Sequence, residues 1–399
     1  MNDVCWLDAP GVVCALGADT ASVRARLQAG TTDGLRRAEG WVANRSVTLA
    51  PVDAVLPAIP AALPAHLHSR NNQLLLAAAQ QIEPGLRAAI ARHGPARIGI
   101  VLGTSTSSVN DNAAAFAALA AGGAWPAGHD YRRQALNAPA EFLSAWLGTA
   151  GPAYTLSTAC TSSARALLSA RRLLQMGVCD AVICGGADSL CKLTINGFAA
   201  LEAISEDRCL PFSANRRGIN IGEAAVLFLM HRGADGEVAL LGGAGSSDAW
   251  HMSAPEPSGA GARRAMQAAL DDARLDAAAI GWVNLHGTGT ALNDAMESLA
   301  THALFPAGVP CASTKGMTGH TLGAAGALEA AFAWLTLDGA SRGAALPRHA
   351  WDGVPDPQLP RLDFCDGTQH YAAGRRRVAM SNSFAFGGNN TSLILGAAS

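Results

Sequence analysis

Residues 98–102 and 282–285 are mostly apolar runs, and each leads into a Gly-Thr-x-Thr loop, at 103–106 directly and at 287–290 through His286. Short apolar runs closed by Gly fit strands buried on both faces, as in parallel sheets. Parallel neighbours need a crossover of a dozen or more residues, normally a helix. The chain supplies such crossovers. Apolar residues at helical spacing run through 21–28, 71–92 (Leu74, Leu75, Ala78, Ile82), 162–176, 261–274, 294–304 and 323–337, with a short helix near 197–204. Further strand signals lie at 4–7, 11–16, 41–47, 154–156, 181–184, 223–231, 238–243, 378–381 and 391–395. This alternation predicts an α/β fold with a mostly parallel sheet, and the recurring loop predicts two divergent copies of one unit, split at 1–235 and 236–399. The 107–150 segment mixes short helical signals with loops and is expected to form a cap or an interface. With 49% hydrophobic and 15% charged residues over 399 positions, the chain can bury a large core. So little charge also points to surface covered by another subunit.

Several function classes drop out. A net charge of −2 gives no electrostatic case for nucleic acid or a membrane surface. The arginine pairs, Arg132-Arg133 among them, read as solvated faces. Nine cysteines without a CxxC pair fit neither a disulfide scaffold nor a sequence-local metal site, so no metal is expected. They read as small buried residues in a reducing, cytoplasmic setting. The first residues carry no basic-then-apolar leader, and no run of about 18 apolar residues suggests a membrane span.

Cys160 stands where the 154–156 strand gives way to the 162–176 helix. The first turn of a helix has unpaired N–H groups and partial positive charge, worth roughly 0.3–2 kcal/mol to a nearby anion. That lowers a thiol pKa towards neutrality, while burial opposes it. A buried structural thiol and a reactive one therefore both fit this stretch. Its small neighbours (Ser157, Thr158, Ala159, Thr161, Ser162, Ser163) leave room for a ligand. His286 ends a strand in an open, polar loop. His320 lies just ahead of an Ala- and Gly-rich helix. Lys315 sits in an otherwise uncharged run from 311 to 328, so it needs a partner, and Glu329, Glu297 or Asp294 could supply one. The last loop, Ser383-Phe384-Ala385-Phe386-Gly387-Gly388-Asn389-Asn390, sets two aromatics beside a glycine pair that permits close approach. One Cys, two His and one Lys on strand-end loops point to nucleophilic acyl chemistry.

Four motifs in one order carry a resemblance across nearly the whole chain. They are Thr158-Ala159-Cys160; His286-Gly287-Thr288-Gly289-Thr290 with Asn293-Asp294; Thr314-Lys315 through Gly319-His320 and on to Gly326; and Asn382 through Asn390. The sequence resembles the β-ketoacyl-acyl carrier protein synthases of the thiolase-like superfamily. The resemblance implies a five-layered αβαβα fold of two pseudo-duplicated halves, usually dimeric. It implies that Cys160 takes an acyl group from a carrier-protein phosphopantetheine, and that malonyl-carrier protein then loses CO2 and attacks the thioester. No permanent cofactor is implied. His286 and His320 would stabilise the enolate, and Lys315 would orient the site through Glu329. The N–H groups of Cys160 and Phe386 would form an oxyanion hole. Thr288 and Thr290 would meet the pantetheine arm, Phe384 and Phe386 the acyl entrance, and Asp294 and Glu297 would give structural support.

Two histidines place the chain with elongating synthases. The partners implied are acyl carrier protein and a second subunit, either identical or a ketosynthase-like chain length factor. The rim departs from the family pattern: Leu210-Pro211-Phe212-Ser213 and Arg216-Arg217-Gly218-Ile219 precede Gly222-Glu223, and Asn389 stands where Thr is usual. This is similar to synthases of aryl polyene and other specialised polyketide pathways. Two alternatives stand beside this reading. One is a non-catalytic chain-length partner, which would normally lack the Cys. The other is a thiolase or CoA-dependent acyltransferase, with Cys365 as its second thiol.

Overall fold

The computed structural model describes residues 4–233 and 235–398; Met1 to Asp3, the start of the segment read as leaderless, lie outside them. The fold is mixed α/β. A 12-stranded sheet runs through both halves. In the first half, Cys5–Leu7, Ile98–Gly103, Ala153–Leu156, Ala181–Asp188 and Ala224–His231 lie in the order third, second, fourth, fifth, first. In the second half, Val238–Ser247, Trp282–Asn284, Pro310–Ala312, Val378–Ala385 and Asn389–Ala397 repeat that order. The two sets join where Cys5 pairs with Leu240, antiparallel.

Both Gly-Thr loops leave the second strand of their half, which is parallel to its neighbours on either side. In each half the crossover after the third strand carries a helix. The helix Ser162–Gln175 presents Ala164, Leu167, Leu168 and Leu174 to the core and is followed by Gly177 at φ 69. The helix Ala325–Leu337 is buried at every position, which explains its lack of a polar face. The two helices pack on each other. A Cβ built on Gly326 would lie 2.7 Å from the Ala164 Cβ, so glycine sets the closeness of this crossing. Because both helices begin at the same end of the sheet, their preceding loops meet, and those loops carry Cys160 and His320. Outer helices cover the far faces: Arg70–His93 lies on Gly11–Val13 and Ala224–His231, and Ala260–Ala273 on Val238–Ser247. Gly326→Val is expected to cost at least about 1–3 kcal/mol through overpacking. Urea unfolding reads this, and wild-type stability in the variant would contradict the crossing.

Local differences from the sequence reading have simple causes. The 41–47 strand signal straddles a turn: Arg36–Val42 and Arg45–Ala50 form a hairpin about Asn44, at φ 54. The short helix is Lys192–Ala200, with Gly197 inside it rather than at its start. The strands 181–184 and 378–381 extend to Asp188 and Ala385. Among the described residues no helix is long and apolar enough to cross a membrane.

Candidate active site

Cys160 follows Ala159, whose φ of 53 is unusual for a residue with a side chain and makes the chain turn sharply before the helix. The Cys160 Sγ lies 2.9 Å from His320 Nε2. The backbone N–H groups of Phe386 and of Cys160 itself lie near enough to Sγ to favour its charged form. Burial dominates the thiol all the same: it pushes the Cys160 pKa up to about 12, while the Lys315 cation pulls the other way. The expected lowering by the helix end is therefore overridden, because the first turn of one helix offers less than full desolvation removes. At rest Cys160 is a thiol, and to attack a substrate it would need an acceptor for its proton.

His286 and His320 face each other edge-on with ring centres 5.3 Å apart. Burial, with Lys315 nearby, holds both well below the ordinary histidine range, so both are neutral. Lys315, almost fully buried, pairs with Glu329 and also donates to the His286 carbonyl. Its Nζ is 3.4 Å from His286 Nδ1. An ammonium can only donate, so Nδ1 accepts and the hydrogen of His286 sits on Nε2. Of the three acids open as partners for Lys315, the structure selects Glu329.

Glu297 instead accepts from the N–H groups of His286 and Gly287, both at 2.6 Å. Asp294 accepts from Thr288 N–H at 3.1 Å, Gly289 N–H at 3.2 Å and Phe212 N–H at 2.7 Å. Burial raises Glu297 to about 8 and Asp294 to about 6, and these N–H donors oppose the rise. The two acids thus shape the loop that carries His286. Thr288 and Thr290 hydroxyls lie 3.0 Å apart on the cavity wall.

A cavity of about 440 Å³ reaches Cys160, His286 and His320 from the surface. Phe384 and Phe386 line it, and Phe386 packs on Phe198 at 5.3 Å. This wall is compact: Phe386–Gly388 is a single tight turn between paired strands, and Gly387 N–H bonds the Met252 carbonyl. Cys365 does not line this cavity; it is buried against Cys311. That removes the basis for a second catalytic thiol.

The Sγ of Cys160 and ring nitrogens of both histidines fall within 4.8 Å of one another, close enough to hold a metal ion. Sequence spacing could not reveal this set, since each member comes from a different loop. The neighbouring Lys315 ammonium opposes a cation there.

Sequence reading missed Phe198 and the 220–222 segment. The Asn220 carbonyl and Gly222 N–H bracket the backbone of His320 at 2.7 and 3.0 Å. The only signal was the family-like Gly222-Glu223 pair. At the rim, Arg216 is held by Asp356, while Arg217 is exposed.

Comparisons with known proteins accord with this geometry. Residues 31–235 match the beta-ketoacyl synthase N-terminal domain, and residues 238–342 match its C-terminal domain. The 3-oxoacyl-(acyl-carrier-protein) synthase 2 of Rhizobium meliloti (strain 1021) is 36% identical over 269 residues, 61% of this chain and 61% of that protein. The matched region thus spans about three fifths of that relative. Among solved structures, a ketosynthase from Xenorhabdus doucetiae, in complex with its chain length factor, superposes with a TM-score of 0.92 at 46% identity, covering 99% of this chain and 98% of the other. A beta-ketoacyl synthase from Burkholderia phymatum STM815 gives a TM-score of 0.86 at 30% identity, with 99% and 100% covered. With both family domains matched in order over most of its length, and Cys160, His286 and His320 gathered on one cavity, the chain belongs to the beta-ketoacyl synthase family.

Proposed function

We propose that this protein is an elongating β-ketoacyl-acyl carrier protein synthase. The observation that carries the reading is the contact of the Cys160 thiol with neutral His320 at 2.9 Å, beside a His286 whose Nε2–H is fixed by Lys315. In the loading step, Sγ attacks the acyl thioester and its proton passes through His320 Nε2 to the departing pantetheine sulfur. The N–H groups of Cys160 and Phe386 receive the oxyanion of the tetrahedral intermediate. Malonyl-carrier protein then binds with Thr288 and Thr290 against its pantetheine arm. The C–CO2 bond breaks, CO2 departs, and the electron pair forms an enolate held by the two histidines. The enolate carbon bonds to the acyl carbon, the C–S bond to Cys160 breaks with its electron pair going to sulfur, the thiolate takes up a proton from solvent, and the β-ketoacyl product leaves on the carrier.

His286→Ala separates these steps. Malonyl decarboxylation is expected to fall about 10²–10³-fold, as when one oxyanion donor is removed. Loading of Cys160, which His286 does not touch, should stay within about tenfold. Equal loss of both, by single-turnover assay, would refute this separation of roles between the two histidines.

The finer fold and the partners belong to the same proposal. The halves 1–235 and 236–399 form five layers, αβαβα, with the packed helices Ser162–Gln175 and Ala325–Leu337 in the middle; the repeated strand order supports this. A second ketosynthase-like subunit, identical or a chain length factor, is expected on the 107–150 segment. There Phe116, Trp125 and His129 form an aromatic cluster, and Phe116, Trp125, Tyr131 and Leu136 are exposed. The solved ketosynthase with its chain length factor, together with the unusual rim, favours a specialised polyketide pathway, including aryl polyenes; nine buried cysteines favour a reducing, cytoplasmic setting. Native mass spectrometry of the protein alone tells these apart: a homodimer supports an identical partner, a monomer that pairs only with a co-expressed chain length factor supports a distinct one, and a monomer that pairs with neither contradicts the interface.

A further inference from the structure

Asp188 ends the strand Ala181–Asp188 with a fully buried carboxylate. Every partner the structure gives it is a hydrogen-bond donor. Its Oδ1 accepts from the Thr104 hydroxyl (2.6 Å), Thr106 N–H (2.9 Å) and the Thr106 hydroxyl (2.8 Å), and Ser105 N–H reaches both oxygens. Its Oδ2 accepts from Gly323 N–H at 2.6 Å. The first group lies on the Gly-Thr loop of the N-terminal half. Gly323 lies three residues after His320, in the other half.

Two further contacts extend the connection. Thr104 N–H bonds the carbonyl of Leu156, the last residue of the strand that leads to Cys160. Leu322, between His320 and Gly323, is held at φ 52, a conformation a leucine does not adopt unaided. A Cβ on Gly323 would come within 2.5 Å of Ser105 N and 2.7 Å of Asp188 Oδ2, so the two halves are in direct backbone contact at this point. Burial raises the Asp188 pKa, and the threonine and serine donors oppose it. Asp188 does not line the cavity, so it touches no substrate.

We infer that Asp188 is a positioning residue: it ties the turn after His320 to the strand end before Cys160 and so sets the distance between the His320 ring and the thiol. The 220–222 bridge fixes the backbone of His320 itself; Asp188 fixes the turn that follows and its relation to Cys160. A shape-preserving change at Asp188 therefore acts on the reaction through the spacing of His320 and Cys160.

Asp188→Asn keeps the shape but replaces one acceptor oxygen with a donor, so one of the two loops loses its partner. Iodoacetamide alkylation of Cys160 across pH reads the consequence without any substrate. A thiol that loses His320 reacts only at higher pH, about tenfold more slowly at a fixed neutral pH. The condensation kcat should fall about 10–100-fold with the KM for acyl-carrier protein unchanged, as expected for a lost transition-state interaction. This second readout rests on the ketosynthase reading; the alkylation profile does not, so the two can fail separately. Thr104→Val removes one donor and should give a smaller shift of the same sign, and Thr104→Ser should restore the wild-type profile. An Asp188→Asn protein with the wild-type alkylation profile, or with its loss in KM rather than kcat, overturns the inference. Should that variant not fold, an unshifted profile in Thr104→Val overturns it equally.

Discussion

Cys160→Ala is expected to abolish condensation, with a loss on the order of 10³–10⁶-fold, as when a covalent nucleophile is removed from a triad. The fold should survive. The sulfur is small and almost wholly buried, and its main contact is one hydrogen bond to His320. Losing that bond costs about 1 kcal/mol, which shifts Tm by roughly 2–4 °C or less in a chain of this size. The informative comparison is with malonyl decarboxylation, which uses the histidines and not the thiol. Decarboxylation that persists in Cys160→Ala while condensation disappears fits the division of labour. Condensation at an undiminished rate would end it.

Lys315→Met should have the second-largest effect, and on stability as well as rate. The ammonium is buried against Glu329 and against the carbonyl and Nδ1 of His286. Breaking a buried pair by removing one partner typically costs about 3–5 kcal/mol. Burial already raises Glu329 to about 7 with Lys315 opposing. Without the cation it must climb further, so the folded state holds a proton that the unfolded chain has released. Stability in the variant then falls as pH rises from near the ordinary glutamate range through the raised value. Urea midpoints measured from about pH 5 to pH 8 would show this as a steeper decline than in the wild type. The rate should fall too, because His286 loses the donor that fixes its hydrogen on Nε2. A pH-independent stability difference would argue that Glu329 is not the partner that matters.

The architecture is legible in the sequence because burial leaves a direct trace. Residues 98–102 and, Asn284 apart, 282–285 are apolar without alternation, as strands covered on both faces must be, and strands form at Ile98–Gly103 and Trp282–Asn284. The helix 162–176 is bounded in the sequence by Gly177, a residue suited to leaving a helix, and it ends at Gln175. The site residues are legible because a buried lysine, two open-loop histidines and a thiol at a helix entry are each costly or odd as packing elements. Relations between distant segments leave no such trace. The choice of Glu329 over Glu297 and Asp294 depends on how the Lys315–Thr318 turn folds back on the helix Ala325–Leu337, and the bracket of Asn220 and Gly222 on His320 depends on a bridge between halves. The sequence leaves the balance between helix end and burial open at the thiol for the same reason: the helix end is local and visible, but the depth of burial, which raises the thiol, is not. Asp188 escapes a reading of the sequence because the apolar 181–184 run stops at its glycines, whereas the strand continues to the carboxylate.

Intact-mass spectrometry on the wild-type protein, first with acyl-carrier protein and then with malonyl-carrier protein, follows the acyl group itself. The expected result is a mass gain of one acyl group, mapped to the Cys160 peptide. That mass should disappear on adding malonyl-carrier protein, with a β-ketoacyl product appearing on the carrier. Acylation at another residue, or an acyl group on Cys160 that malonyl-carrier protein never discharges, would contradict it.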